Sequence, residues 1–320
     1  MNPLLQSHYA PLTKQIPHGS ELLDNYNFLQ SAKHSDKIYI AHNPIWPSTN
    51  KIVLPTNYDL YILAWGGEIV DVKWIDEVTT YIDPSKLILI TDLEHVELSN
   101  VKKFTLTHHH QLPKLFEYTK DHIVDLSAYK SRKYKISCLQ RGKDREHRIN
   151  LANFLKDKNF FINNFDNNGL LWSDDQWEWR IEPYLNSLIN ITSESSFDTF
   201  DRYRPYTYLT EKTFKPIMAG CLGMHFGHPF GYKKLEGYGF LSANSLGFMY
   251  DDVLDDFKRF ERFTIDLDNL LDYLTPKLSQ MQEIVEYNHN WFWHKFYNSE
   301  KEKNRLNEQL ILEYIDNYFR

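Results

Sequence analysis

The sequence predicts an α/β protein made of two Rossmann-like parallel-sheet domains. Three observations point there. Residues 58–65 form an apolar run ending at Gly66-Gly67-Glu68, residues 70–81 carry helical spacing, and residues 86–91 form a second apolar run. The pattern recurs further on: a buried strand suggested by the alternation at 188–192, polar residues 193–196 at its carboxyl end, a helix opened by Thr210 and closed by Gly220, and a second apolar run at 221–227. A chain of 320 residues also has length enough for two cores of ordinary domain size.

Taken in order, residues 1–36 are polar, with one short helix expected over 21–33. Short strands are expected at 37–41 and 51–54, around the Pro44/Pro47 turn. The strand–helix–strand unit at 58–91 follows, then a strand at 101–107 running into His108-His109-His110. Strands alternating with helices call for a parallel sheet. Residues 125–133, rich in Ser, Lys and Arg, read as a linker, which divides the chain into a first domain at 1–130 and a second at 131–290. The second opens with a strand at 134–139, a basic loop at 140–148 and a helix at 149–158. An Asn/Asp-rich loop with Trp172, Trp177 and Trp179 follows, read as a packing cluster. Helices are expected at 251–260 and 267–273, then a segment dense in aromatics at 276–297. The terminal helix at 300–319, within a closing segment at 291–320, carries Leu306, Leu310, Ile311 and Tyr314 on one side.

Composition narrows the classes. Lys plus Arg number 36 against 43 Asp plus Glu, a formal charge of −7, which gives no support to broad nucleic-acid or anionic-membrane binding. The two cysteines, Cys138 and Cys221, sit in apolar strand-like segments and read as buried thiols of a reducing compartment. Residues 1–12 lack a basic region followed by a long apolar run, and no apolar segment approaches the roughly 20 residues a membrane span needs. A soluble, cytoplasmic protein is expected. Asp266-Leu267-Asp268 matches Asp-x-Asp in form but lies in a helical stretch. Three adjacent histidines on a strand alternate faces and cannot all reach one ion. No metal and no cofactor are therefore expected.

The chemistry concentrates around Thr210. The first turn of a helix leaves N–H groups unpaired and carries partial positive charge, so it attracts phosphate. Lys212 and Lys215 add full charge to that turn, while Glu211 between them suits a ribose diol, which offers two hydroxyl donors. The plainer alternative is an ordinary capped helix with solvated lysines. The basic loop holds Arg141, Lys143, Arg145 and Arg148 between the first strand and first helix of its domain, where doubly wound folds place a phosphate-contacting loop. Arginine suits that task because its planar fork binds two phosphate oxygens at once. The plainer alternative is a solvated charge run.

The block Glu194-Ser195-Ser196, then Tyr208-Leu209-Thr210-Glu211-Lys212, a helix, Gly220 and an apolar strand resembles the donor-binding signature of the alpha-1,3-fucosyltransferases, glycosyltransferase family 10. Ser195 stands where that family carries asparagine, and residues 197–205 lengthen the gap. The resemblance covers the carboxyl-terminal half. It implies a GT-B fold, two domains facing a cleft, with the terminal helix crossing back onto the first. It implies an inverting, metal-independent transfer from a nucleoside-diphosphate sugar, GDP-linked ahead of UDP-linked, to a hydroxyl of a saccharide acceptor. Donor contacts carry over to Arg148, Arg145, Glu194, Ser195, Tyr208, Thr210, Glu211 and Lys212. The base that takes the acceptor proton would be Glu68, in the acceptor-side domain, with Asp92, Glu94 and His108 to His110 as competitors. Two other readings keep part of this site: a glycosyltransferase acting on a DNA base, and a non-catalytic module that binds a glycan or nucleotide.

Overall fold

The computed structural model describes residues 9–11, 27–33, 35–42, 53–65, 72–91, 96, 98, 100–106, 124–138, 146–156, 158, 161–163, 181–194, 197, 207 and 209–320. The chain is α/β and divides into two compact units, Met1–His110 with Ser299–Arg320, and Gln111–Asn298.

The first unit is built on β1 (Tyr9–Pro11), β2 (Ile38–His42), β3 (Leu60–Trp65), α1 (Val72–Val78), β4 (Leu87–Thr91) and β5 (Lys102–Thr105). The sheet runs in the order β1-β2-β3-β4-β5, and every pairing is parallel except β1 with β2. β4 is buried along its whole length, which explains its unbroken apolar sequence Leu-Ile-Leu-Ile-Thr. α1 buries Trp74, Ile75 and Val78 at helical spacing. The strand expected at 51–54 does not form over Val53 and Leu54, which have no regular structure. Val53 is exposed there, so the apolar run lacks the two covered faces that would hold a strand.

The second unit has the 3-10 turn Leu126–Ser131, then β6 (Tyr134–Cys138), α2 (Glu146–Leu155), β7 (Phe161–Asn163), α3 (Glu182–Leu185) and β8 (Ser187–Ser193). It continues with α4 (Glu211–Met218), β9 (Leu222–Phe226), α5 (Gly231–Gly237), α6 (Asp256–Asp272), α7 (Leu274–Trp291) and a π-helical turn at Phe292–Phe296. Its sheet order is β7-β6-β8-β9, parallel throughout. β8 is central and buried at every residue, polar ones included. Two of those polar side chains find partners inside: the Asn190 amide donates to the Ser137 hydroxyl at 3.0 Å, and the Thr192 hydroxyl to the Lys212 carbonyl at 3.2 Å.

Two expectations for this unit need correction. Residues 125–133 are no linker. They form a capped 3-10 turn whose Tyr129 is fully buried and donates to the Leu188 carbonyl at 2.7 Å. Arg132 closes the turn against the sheet, donating to the carbonyls of Tyr184 at 3.1 Å and Ser187 at 2.9 Å. The second correction is α6, one helix of 17 residues starting at Asp256 rather than two shorter ones. The acidic Asp266 does not break it, because its buried carboxylate accepts from Met249 N at 2.8 Å and Arg262 Nε at 2.9 Å. Both cysteines are free and buried, and burial pushes each thiol up to about 12.

The last helix, α8 (Tyr297–Tyr318), contributes Ile311 and Ile315 to the core formed by Ile38, Ile40, Leu60 and Ile62 of the first unit. Asn307 donates to the Thr105 carbonyl at 2.9 Å, and Tyr318 to that of Asp59 at 2.9 Å. The buried stripe differs from the expected one: Leu306 and Leu310 are exposed, and Ile315 takes their place beside Ile311. Among the described residues, no helix is long and apolar enough to cross a membrane. Trp172, Trp177 and Trp179 lie outside the described residues.

Candidate functional site

The carboxyl end of β8 is where the chemistry-bearing side chains meet. α4 begins beside it with Thr210 as N-cap, whose hydroxyl accepts from Lys212 N at 3.2 Å. α4 ends in a Schellman motif: Gly220 N donates to Ile217 O at 3.1 Å and Cys221 N to Pro216 O at 2.8 Å. Gly220 has φ +60°, and a Cβ there would meet Leu126 Cδ2 at 2.3 Å, so only glycine serves.

Glu194 directly follows β8 and is 2% exposed. Its Oε2 accepts from the Thr210 hydroxyl at 2.6 Å. Its Oε1 accepts from the Thr213 hydroxyl at 2.7 Å and from Thr210 N at 3.3 Å. The sequence placed Glu194 among the donor contacts. In the structure its carboxylate fixes the start of α4 against the strand, satisfying the N–H of the N-cap and two hydroxyls that burial would otherwise strand.

Arg148 lies in the first turn of α2, which starts at Glu146, three residues earlier than expected. It is buried, and its Nη2 donates to the Ser193 carbonyl at 3.3 Å and the Glu194 carbonyl at 3.1 Å. His147 Nε2 meets the same Glu194 carbonyl at 3.1 Å. Glu194 therefore holds both helix starts, α2 through its main chain and α4 through its side chain.

The electrostatics of the α4 turn are strongly coupled. Lys212 Nζ lies 3.1 Å from Glu211 Oε1 and 3.2 Å from the Thr210 hydroxyl. Burial alone would raise the Glu211 carboxyl, but Lys212 and Lys215 hold it down at about 2, so it is ionised at neutral pH. Burial lowers the Lys215 amine, with the carboxylates of Glu211 and Glu194 acting against that shift.

Three residues of this region escaped the sequence reading. His225 of β9 is buried, with Nδ1 4.0 Å from Glu194 Oε1, and burial lowers it to about 4, so it is neutral. Phe197 stacks on His147 at 5.4 Å and tilts against Phe226 at 4.6 Å. Arg259 of α6 sits 4.2 Å over the Phe197 ring and donates to the Phe197 carbonyl. It also donates to Val253 O at 3.0 Å and Asp256 Oδ1 at 2.7 Å. One signal could have flagged it: Arg259 shares its helix face with Phe263, Leu267 and Leu270, all buried, and a charge on a core face needs dedicated partners.

Of the expected site residues, Arg148, Glu194, Thr210, Glu211 and Lys212 come together at this one end of β8. Glu68, Asp92, Glu94, His108, Arg141, Lys143, Arg145, Ser195 and Tyr208 lie outside the described residues. Among the described residues, no group of three or more His, Cys, Asp or Glu side chains is arranged to hold a metal ion. Comparison with protein-family models, with curated proteins and with solved structures finds no match to this chain.

Proposed function

We propose that this chain is a metal-independent glycosyltransferase that moves a sugar from a nucleoside diphosphate to a hydroxyl of a saccharide acceptor, with inversion. One observation carries the reading. Arg148 and the capped first turn of α4 are joined through Glu194 at the carboxyl end of the central parallel strand. Ligands of open parallel sheets bind outside the carboxyl ends of their strands. A diphosphate needs this combination of helix-terminal N–H groups and fixed cations, because charge grows on it as the sugar departs.

In this reading Lys212 and Arg148 stabilise the leaving diphosphate. The ionised Glu211 accepts from a ribose diol, and Glu194 and Thr210 position the turn rather than touch the donor. The two units act as a GT-B pair, and Glu68 of the first takes the acceptor proton. Isothermal titration with GDP- and UDP-sugars tests the proposal, followed by mass spectrometry of the incubated mixtures. Micromolar binding of a GDP-sugar, weakened at least tenfold by Arg148→Met, is the expected result. A chain that binds no nucleoside diphosphate in any form ends it.

A further inference from the structure

α4 contains a proline in its interior, Pro216, and the helix is built around the consequence. Proline has no N–H, so the bond that residue 216 would normally send back four residues, to the carbonyl of Lys212, cannot form. A different donor reaches that carbonyl: the hydroxyl of Thr192 on β8, at 3.2 Å. The same hydroxyl lies 3.3 Å from Asn190 Oδ1, and Asn190 is itself held by Ser137 of the next strand, with Nδ2 3.0 Å from Oγ and 3.3 Å from the carbonyl. Ser137, Asn190 and Thr192 are all buried. On the sheet side the proline ring needs room, and Gly223 of β9 supplies it: a Cβ there would sit 3.1 Å from Pro216 Cγ.

We infer that Thr192 is a positioning residue for the Lys212 turn, its hydroxyl replacing the amide that Pro216 removes. This relay, from Thr192 to Lys212, ties the main chain of the turn to β8, so the turn is fixed by the sheet and not only by its own helix. The one hydroxyl proton goes to the Lys212 carbonyl, and Oδ1 of Asn190, whose amide is held by Ser137, lies beside it. Proline in a helix ordinarily bends it away from its neighbours. The relay holds this one down at the turn that carries the cation. The inference rests on the donor-site reading only for its functional consequence; the relay itself is a statement about the fold.

A double-mutant cycle tests it. Thr192→Val removes the hydroxyl, and Pro216→Ala restores an N–H at position 216. In the wild-type background Thr192→Val should shift the unfolding equilibrium constant about tenfold in urea. In the Pro216→Ala background the same change should cost no more than about twofold, since the restored amide now donates to the Lys212 carbonyl. Thr192→Ser, which keeps the hydroxyl, should behave like wild type. Equal costs of Thr192→Val in both backgrounds overturn the inference. GDP titration reads the functional half: Thr192→Val should weaken GDP about tenfold, and Thr192→Ser and Thr192→Val/Pro216→Ala should recover most of that loss. Ile217→Val is the control for general loosening, and a loss of GDP affinity as large in that variant also counts against positioning. If wild type binds no nucleoside diphosphate, the donor-site reading fails while the urea cycle still decides the relay.

Discussion

Glu194 presents its carbonyl oxygen to Arg148 Nη2 at 3.1 Å, so the cation of one helix start is bound to the residue that anchors the N-cap of the other. Arg148 also reaches the Ser193 carbonyl, and it is buried. Its side chain thus has a structural role at the end of β8 beside the proposed role toward phosphate.

The two roles separate by substitution. Arg148→Lys keeps the charge but loses the planar guanidinium whose Nη2 reaches both carbonyls. It should destabilise the second unit by about 1–3 kcal/mol in urea, and it should lower GDP affinity less than Arg148→Met does. Equal GDP affinity in wild type, Arg148→Lys and Arg148→Met would remove Arg148 from the donor site.

Glu194→Gln tests the cap. The wild-type carboxylate only accepts, and it accepts from Thr210 N, the Thr210 hydroxyl and the Thr213 hydroxyl. A Gln amide puts an NH2 in place of one accepting oxygen. It faces either Thr210 N, a donor only, or the Thr210 hydroxyl, which already accepts from Lys212 N and Nζ, so either placement disrupts the cap. The expected cost is about 1–3 kcal/mol, with faster amide exchange at Thr210 and Lys212 than elsewhere in α4. Unchanged exchange at those two amides would contradict the assigned role.

Two carboxyls should imprint opposite pH dependences on stability. Burial raises Asp251 from 3.8 to about 7, against the opposing effect of the backbone N–H groups of Tyr232, Lys233 and Gly231. The folded state then holds a proton that the unfolded chain releases, so stability falls as pH rises from 3.8 to about 7 and is flat above. Glu211 is opposite: burial raises it, but Lys212 and Lys215 outweigh burial and bring it from 4.5 to about 2. Its contribution is complete above 4.5 and is lost as pH falls toward about 2. Asp251→Asn should flatten the slope between pH 4 and 7 without touching the acid limb, and Glu211→Gln should do the reverse. Urea midpoints at half-unit pH steps check both, and an unaltered slope in Asp251→Asn would sink the first.

Much of the second unit was legible from local signals. Thr210 at the cap and Gly220 at the close are residue types that their backbone positions require, and both stand where the pattern put them. In the first unit the apolar runs of β3 and β4 were equally plain, because strands covered on both faces need no alternation, while β8 showed through the alternation at 188–192. Illegible were the partners that tertiary packing alone supplies. Nothing near Glu194 in sequence indicates that its carboxylate turns inward to Thr210 and Thr213, and nothing near Arg259 indicates a ring 62 residues away. The turn at Leu126–Ser131 misled for a related reason: its exposed Ser and Lys residues hide a single buried tyrosine, Tyr129. The end of α8 misled through spacing, since Leu306 and Leu310 share a helix side with Ile311 on paper yet remain exposed.

The slot around His225 offers the last test. A Cβ on Gly231 would lie 2.1 Å from His225 Cδ2 and 2.4 Å from Nε2, and a Cβ on Gly227 would lie 2.9 Å from Glu194 Cβ and Cγ. The turn after β9 is thus closed down on the two side chains that flank the start of α4, and it can be so only with glycine at both places. The imidazole is buried and cannot swing clear, so Gly231→Ala must push it or the backbone. The expected cost is about 3 kcal/mol, at the upper end for overpacking. Removing the ring should relieve it: in a His225→Ala background, Gly231→Ala should cost under about 1 kcal/mol. Because His225 Nδ1 lies 4.0 Å from Glu194 Oε1, Gly231→Ala should also loosen the Thr210 cap, read as faster exchange of the Thr210 amide. An equal cost of Gly231→Ala with and without the histidine ring would show that the slot is set by the backbone of α5 and not by His225.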